Sequence, residues 1–286
     1  MRAVPVVALF TLREAVRRKV FAVVLVLTAG FVVLYAFGAD HAFHDVATFN
    51  GSEVARGVDG KTLAGATLQG LAMFATLFLG TVLAVFLTLS AVRGDAERGL
   101  LQPLVVRPVG RGAFLFARFA GAASVCALYV GGLYAVTVVV TGLTGGWWPD
   151  RVVVPGVELA LAVVVVVALS LLGSVLLSST ANGIAVFMLF GAGLTAGLLG
   201  QVGRAIPSHT LSRVGRLASY ALPFEALYQD ALSRLTVDTA GATGFLLRLG
   251  PFGGAQSGGA ALAPWLVAYL VAVAAAAVVL FRRADL

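Results

Sequence analysis

Long runs of apolar residues govern what this chain can become. They fall at about 20–37, 66–92, 119–142, 153–177, 183–199 and 262–281, and only one contains a charged side chain, Glu158. A bilayer core about 30 Å thick takes about 20 apolar residues as a helix. Backbone N–H and C=O groups in lipid must bond to each other, so a run of this kind predicts a spanning helix. A soluble domain carries about 25% charged residues; here the share is 12%, against 60% hydrophobic. The expected fold class is therefore all-α: one polytopic transmembrane domain over 1–286, with six crossings and an amphipathic interface helix ahead of the first.

That N-terminal helix is read from residues 4–19. Leu9, Leu12, Val16 and Val20 share a helical face, flanked by Arg13 and Arg17 with Arg18 further round, a pattern suited to lying in the interface. A basic flank that only sets topology is the competing reading. The run 20–37 is too long for a signal-peptide core and ends without a small-x-small site, so it reads as a retained anchor. Ser170, Ser174 and Ser178 recur every four residues, a small-residue face for helix packing in lipid, and Gly193 and Gly197 form a GxxxG pair, a dimerisation pattern that carries little in a chain with 34 glycines. Trp147 and Trp148 stand side by side where a span meets water. Pro223 opens a short helix within a long mixed connection, 200–260.

The charges predict orientation. With the N-terminus in the cytoplasm, 12 of the 20 basic residues fall on the inner side, including Arg282 and Arg283. The segment 39–62 has more acids than bases, as an outer loop does. The 200–260 connection holds five arginines, but it is long enough for charge counting to lose force. Both termini and the stretch 93–118 are expected inside, and 200–260 outside.

The stretch 93–118, RGDAERGLLQPLVVRPVGRGAFLFAR, carries Asp95 and Glu97 among five arginines, with prolines at 103 and 108. The prolines divide it into short rigid pieces, and arginine pairs with carboxylates through several donors at once. An ordinary positive-inside loop accounts for the arginines but not for the acids or the prolines. The expectation is a surface that docks onto another protein.

Other motifs carry less. Val58-Asp-Gly-Lys-Thr62 has the end of a phosphate loop, but Ala55 stands where its first glycine is required and no strand precedes it. His41 and His44, beside Asp40 and Asp45, are the weak candidates for a metal; solvated loop residues are the plainer reading. Asn50-Gly-Ser52 is a glycosylation triplet only in a eukaryotic secretory setting. Cys126 is the single cysteine and cannot form an internal disulfide. No catalytic constellation is present, the spans hold almost no acid or histidine for an ion path, and no basic stripe interleaved with aromatics points to nucleic acid.

Three segments resemble one known family. Thr11-Leu-Arg-Glu-Ala-Val-Arg-Arg-Lys19 is similar to a short basic helix before a first span. Glu97-Arg-Gly-Leu-Leu-Gln-Pro-Leu-Val-Val-Arg-Pro-Val-Gly-Arg-Gly112, followed by Ala117-Arg118-Phe-Ala-Gly121, resembles an E-R-G-T-L turn, an R/Q-P-V-S-R turn and a K-F-L-G entry to the third span. Phe281-Arg-Arg-Ala-Asp-Leu286 is similar to a closing F-R-R-R-D-L. Together these resemble the membrane subunit of ABC transporters of the ABC-2 type, in the branch described as permease components of multi-copper enzyme maturation. Leu100, Gly110 and Arg118 depart from the pattern without changing charge in a way that threatens docking. Leu222-Pro-Phe-Glu225 resembles the N-P-x-D segment before the last span.

The resemblance implies a non-catalytic permease that moves substrate across the cytoplasmic membrane, assembled as a homodimer in lipid with a separate soluble ATPase. That partner would bind the ATP, so no cofactor is expected on this chain. It further implies that Asp95, Glu97, Arg98, Pro103, Arg107, Pro108 and Arg111 belong to the ATPase-docking loop. The alternative reading is a membrane scaffold or binding protein without a transport cycle.

Overall fold

The computed structural model describes residues 19–48, 58–89, 110–206, 209–249 and 255–283. Among these there are α-helices and no strand: α1 (Lys19–Thr48), α2 (Gly60–Thr88), α3 (Arg111–Gly145), α4 (Val153–Leu176), α5 (Ser179–Ala205), α6 (His209–Ala221), α7 (Pro223–Ser233), α8 (Gly241–Leu249) and α9 (Leu262–Arg283). Six of them, α1 to α5 and α9, are long and apolar enough to cross a membrane. The chain is an all-α polytopic membrane protein.

Side-chain contacts give the spans their alternating directions. Thr28 of α1 meets Tyr129 of α3, and higher up Tyr35 meets Thr141, so α1 and α3 run parallel. Gln69 of α2 meets Tyr35 and Thr137, while Thr88 at the other end of α2 meets Ser170 of α4. Phe114 at the start of α3 packs on Phe281 at the end of α9, centroids 6.4 Å apart. One end of the bundle, the near end, thus gathers the start of α1, the end of α2, the start of α3 and the end of α9. The far end holds the close of α1, the start of α2 and the connection from α3 to α4.

Several helices exceed the crossings read from hydropathy. The 30 residues of α1 measure about 45 Å at 1.5 Å per residue, against a hydrocarbon core of about 30 Å. The first crossing was expected to end near Phe37, but the helix continues through Asp40, His41, His44 and Asp45, whose side chains suit the water beyond the bilayer. Val58-Asp-Gly-Lys-Thr62 proves to be a helix start. Asp59 accepts the backbone N–H groups of Lys61 and Thr62 at 3.0 and 3.3 Å, the bonds that an N-cap supplies to the unpaired first turn. Gly146 closes α3 in the left-handed region, φ 58°, which glycine adopts without steric cost. The adjacent tryptophans then part: Trp147 is buried against Ala39, Phe43 and Ala66, while Trp148 stays half exposed.

The core centres on α4, which touches α2, α3, α5, α7 and α9. Leu159, Val163, Val165 and Val167 are fully buried there. The serine face of α4 also packs. Ser170 takes the Thr88 hydroxyl at 2.6 Å, and its carbonyl takes the Asn182 amide at 3.0 Å. Between α1, α2 and α3, Tyr35, Gln69, Thr137 and Thr141 bond to one another. Such bonds hold helices together where lipid offers polar groups no other partner. Outward faces remain apolar, as at Val26 (72% exposed) and Leu34 (73%) on α1.

Candidate functional site

The connection 200–260 contains the most chemistry among the described residues, and it folds back into the bundle. From the end of α5 the chain reverses into α6, which runs down α5 with Gly215 against Gly200. At Leu222 it reverses again into α7, which climbs along α4. The tip of this hairpin lies deep. Phe224 stacks on Phe190, centroids 5.6 Å apart and planes 17° from parallel, and Phe190 is near the middle of α5. The GxxxG pair of α5 receives this tip: a Cβ at 193 would meet the Phe224 ring at 2.5 Å, and one at 197 would run into Glu225 Oε1.

A break in helical backbone at that depth needs its own partners. Helix α6 ends with carbonyls that no later turn can use. Trp265 Nε1 donates to the Tyr220 carbonyl at 3.2 Å and the Tyr269 hydroxyl donates to that of Ala221 at 2.8 Å, both from α9. Pro223 starts α7, where a missing N–H costs nothing. Glu225 lies in that first turn, where the helix dipole favours an anion. It is 2% exposed and accepts the Ser219 hydroxyl at 2.8 Å. Burial and the nearby Glu225 charge push the Tyr228 hydroxyl pKa up.

A second polar group clasps α7 to its neighbours. Arg234 lies 2.8 Å from Asp230 and 3.0 Å from Glu158 of α4. Asp230 also accepts the Gly258 N–H at 3.1 Å, which ties in the segment leading to α9. Burial pushes the Asp230 carboxyl up, but the Arg234 guanidinium and the Gly258 N–H outweigh it and hold the pKa below the ordinary carboxylate value. At the far end Asp150 and the turn after α7 exchange two bonds: Asp150 N–H to the Leu235 carbonyl at 3.1 Å and Asp238 N–H to Asp150 Oδ2 at 2.9 Å.

Helices α5, α6, α7 and the start of α9 enclose a cleft of about 540 Å³. Arg216, Gln229, Gln256 and Ser257 line one end, while Tyr220, Trp265 and Ala268 line the other. Among the described residues, Glu225 is the one acid and Arg216 the one base of its lining.

None of the residues lining this cleft is among the site residues expected from sequence. Asp95, Glu97, Arg98, Pro103, Arg107 and Pro108 are outside the described residues, as are Arg13, Arg17 and Arg18 with the interface helix. Arg111 begins α3; the placement of its side chain is likewise outside them. The described helix ends that flank the docking stretch, Thr88 and Arg111, are at the near end, away from the cleft. His41 and His44 are exposed on α1, and among the described residues no three His, Cys, Asp or Glu side chains gather as metal ligands do. The sequence alone does not pair Glu158 with Arg234 and Asp230, nor bring Arg216 and Glu225 to one cleft. Pro223, as a helix start inside a polar connection, was the available signal.

A family profile described as ABC-2 family transporter protein matches residues 6–286. No curated protein matches the chain.

Proposed function

The chain belongs to the ABC-2 transporter family, and on that premise we propose that it moves a substrate across the cytoplasmic membrane, driven by ATP hydrolysis in a separate subunit docked at residues 93–118. The observation that carries this reading is the family match over 6–286, which takes in all six spans and the stretch between α2 and α3. A permease component of an ABC transporter is what such a chain is; its direction in the membrane, its ATPase and its homodimeric assembly are our proposal.

The physics supports a mechanical role for the near end. Two rigid helices flank the docking stretch, one ending at Thr88 and the other starting at Arg111. A force on the stretch acts directly on α2 and α3, which pack against each other and against α4. From α2 a run of aromatic rings continues inward: Phe78 lies 6.3 Å from Phe190, which stacks on Phe224 at the hairpin tip. The route is a contiguous packed path of the kind that carries coupling between distant sites. The start of α1, the helix ends at Thr88 and Arg111 that flank the docking stretch, and the end of α9 share the near end, so an ATPase there puts these helix ends on the cytoplasmic side, in keeping with the arginine bias. The far end, with the hairpin and its cleft, then faces the opposite side.

The test is co-purification with an ATPase, followed by the double substitution Glu97→Ala and Arg98→Ala. Loss of the two charges is expected to abolish stimulated ATP hydrolysis while the six-span protein is still inserted. Full stimulation in the double variant would remove the docking role from this stretch.

A further inference from the structure

We propose that the cleft between α5, α6, α7 and α9 binds one phospholipid, with its phosphate at Arg216 and its acyl chains leaving past Tyr220, Trp265 and Ala268. The inference rests on the membrane placement of the chain and not on a transport cycle.

The polarity of the cleft is sorted along its length. Helix α9 begins at Leu262, so Trp265 and Ala268 lie one and two turns inside the span. Both are exposed, Trp265 at 40%, and Tyr220, packed edge-on to Trp265 at 5.9 Å, is 61% exposed. This wall opens sideways at the depth of lipid tails. Arg216 lies one helical turn from Tyr220, back toward the far end, and shares that level with Gln256 and Ser257, which precede α9. The boundary between these two zones is the level at which a lipid changes from headgroup to chain.

The polar end is rich in donors. The Arg216 side chain is exposed and makes no ion pair among the described residues. Gln229 uses its amide oxygen to accept from Gln201 at 2.9 Å, which leaves its NH₂ to donate. Gln256 and Ser257 add further donors. The cleft also borders the start of α9, where the helix dipole favours an anion. A phosphate diester, which accepts and does not donate, matches this set; guanidinium to phosphate is among the stronger hydrogen-bonded contacts. The one acid on the wall does not oppose it at the mouth, because Glu225 is 2% exposed at the cleft floor and turned to Ser219. The volume, about 540 Å³, lies in the range of small-ligand pockets and accommodates a headgroup with the beginnings of two chains.

The experiment is native mass spectrometry of the full chain, delipidated in detergent. It is titrated with phosphatidylglycerol, with diacylglycerol carrying the same acyl chains, and with inorganic phosphate. One phosphatidylglycerol is expected to remain bound where diacylglycerol is lost. Arg216→Gln should weaken retention about tenfold, as expected for loss of one charge-assisted contact. Arg213→Gln, exposed on the same helix but off the cleft wall, should leave it unchanged. Equal retention of diacylglycerol would overturn the proposal, and so would an Arg216→Gln variant indistinguishable from Arg213→Gln. Displacement of the lipid by inorganic phosphate alone would make this an anion site. A dimer that forms as lipid is removed and blocks rebinding would make the cleft a contact between copies.

Discussion

At Gly197 a single hydrogen atom decides whether the hairpin tip can seat. Oε1 of Glu225 occupies the space that any Cβ there would need, and the ring of Phe224 does the same at Gly193. Neither neighbour can yield easily. Glu225 is held by Ser219 and Phe224 by the stacked Phe190. Gly197→Ala is therefore predicted to destabilise the protein by roughly 1–3 kcal/mol, the usual cost of overpacking a filled interior. Gly191 lies on the same helix with nothing within 4 Å of its missing Cβ, so Gly191→Ala is the control and should melt at or slightly above the wild-type temperature. Thermal unfolding of both variants in one detergent compares them; equal melting temperatures would mean that the tip is not seated against α5. The sequence shows the pair as a dimerisation pattern, whereas in the structure it receives a segment of its own chain. That occupant was not legible, because Glu225 is separated from the pair by two chain reversals.

The hairpin as an element depends on charges that water would otherwise satisfy. Asp230 has its proton affinity lowered in the fold, chiefly because Arg234 outweighs the effect of burial. The sign follows from linkage: a carboxyl whose folded pKa lies below its unfolded value stabilises the fold above that unfolded value. The contribution is complete above the ordinary 3.8 and drains away as the pH falls through the lower folded value. Arg234 is 37% exposed, so solvent screens the pair and the effect is modest. The wild-type melting temperature should fall more steeply between about pH 5 and about pH 2 than that of Asp230→Asn, which has no proton to gain. Parallel acid profiles would show that Asp230 does not help to hold α7. Hydropathy could not reveal this element. Helix α6 carries Arg213 and Arg216, and α7 carries Glu225 and Asp230, so their composition reads as a solvated loop. The burial of α7 comes from partners distant in sequence, α4 and the glycines and Phe190 of α5, while α6 stays largely exposed. Only Pro223, a local signal, marked a helix start correctly.

For the molecule as a whole, six crossings were legible because each long apolar run has one way to satisfy its backbone in lipid. The additional turns of α1 beyond Phe37 were not, because a helix that leaves the bilayer needs no apolar residues to continue. The structure brings the near-end segments together, and one labelling experiment tests which side they face. Cys126 is the only cysteine and is fully buried, so the native background should react little with a membrane-impermeant maleimide. Two single additions sample the two ends: Ser257→Cys in the exposed segment before α9, and Val105→Cys in the docking stretch. With the termini in the cytoplasm, position 257 is expected to label in intact cells and position 105 only after the membrane is opened. The reverse pattern would turn the bundle over, place 93–118 out of reach of any cytoplasmic ATPase, and defeat the docking proposal whatever the Glu97 and Arg98 substitutions did. Labelling of position 105 only after opening, together with intact stimulation in the double variant, would instead keep the topology and move the contact to other residues at the near end.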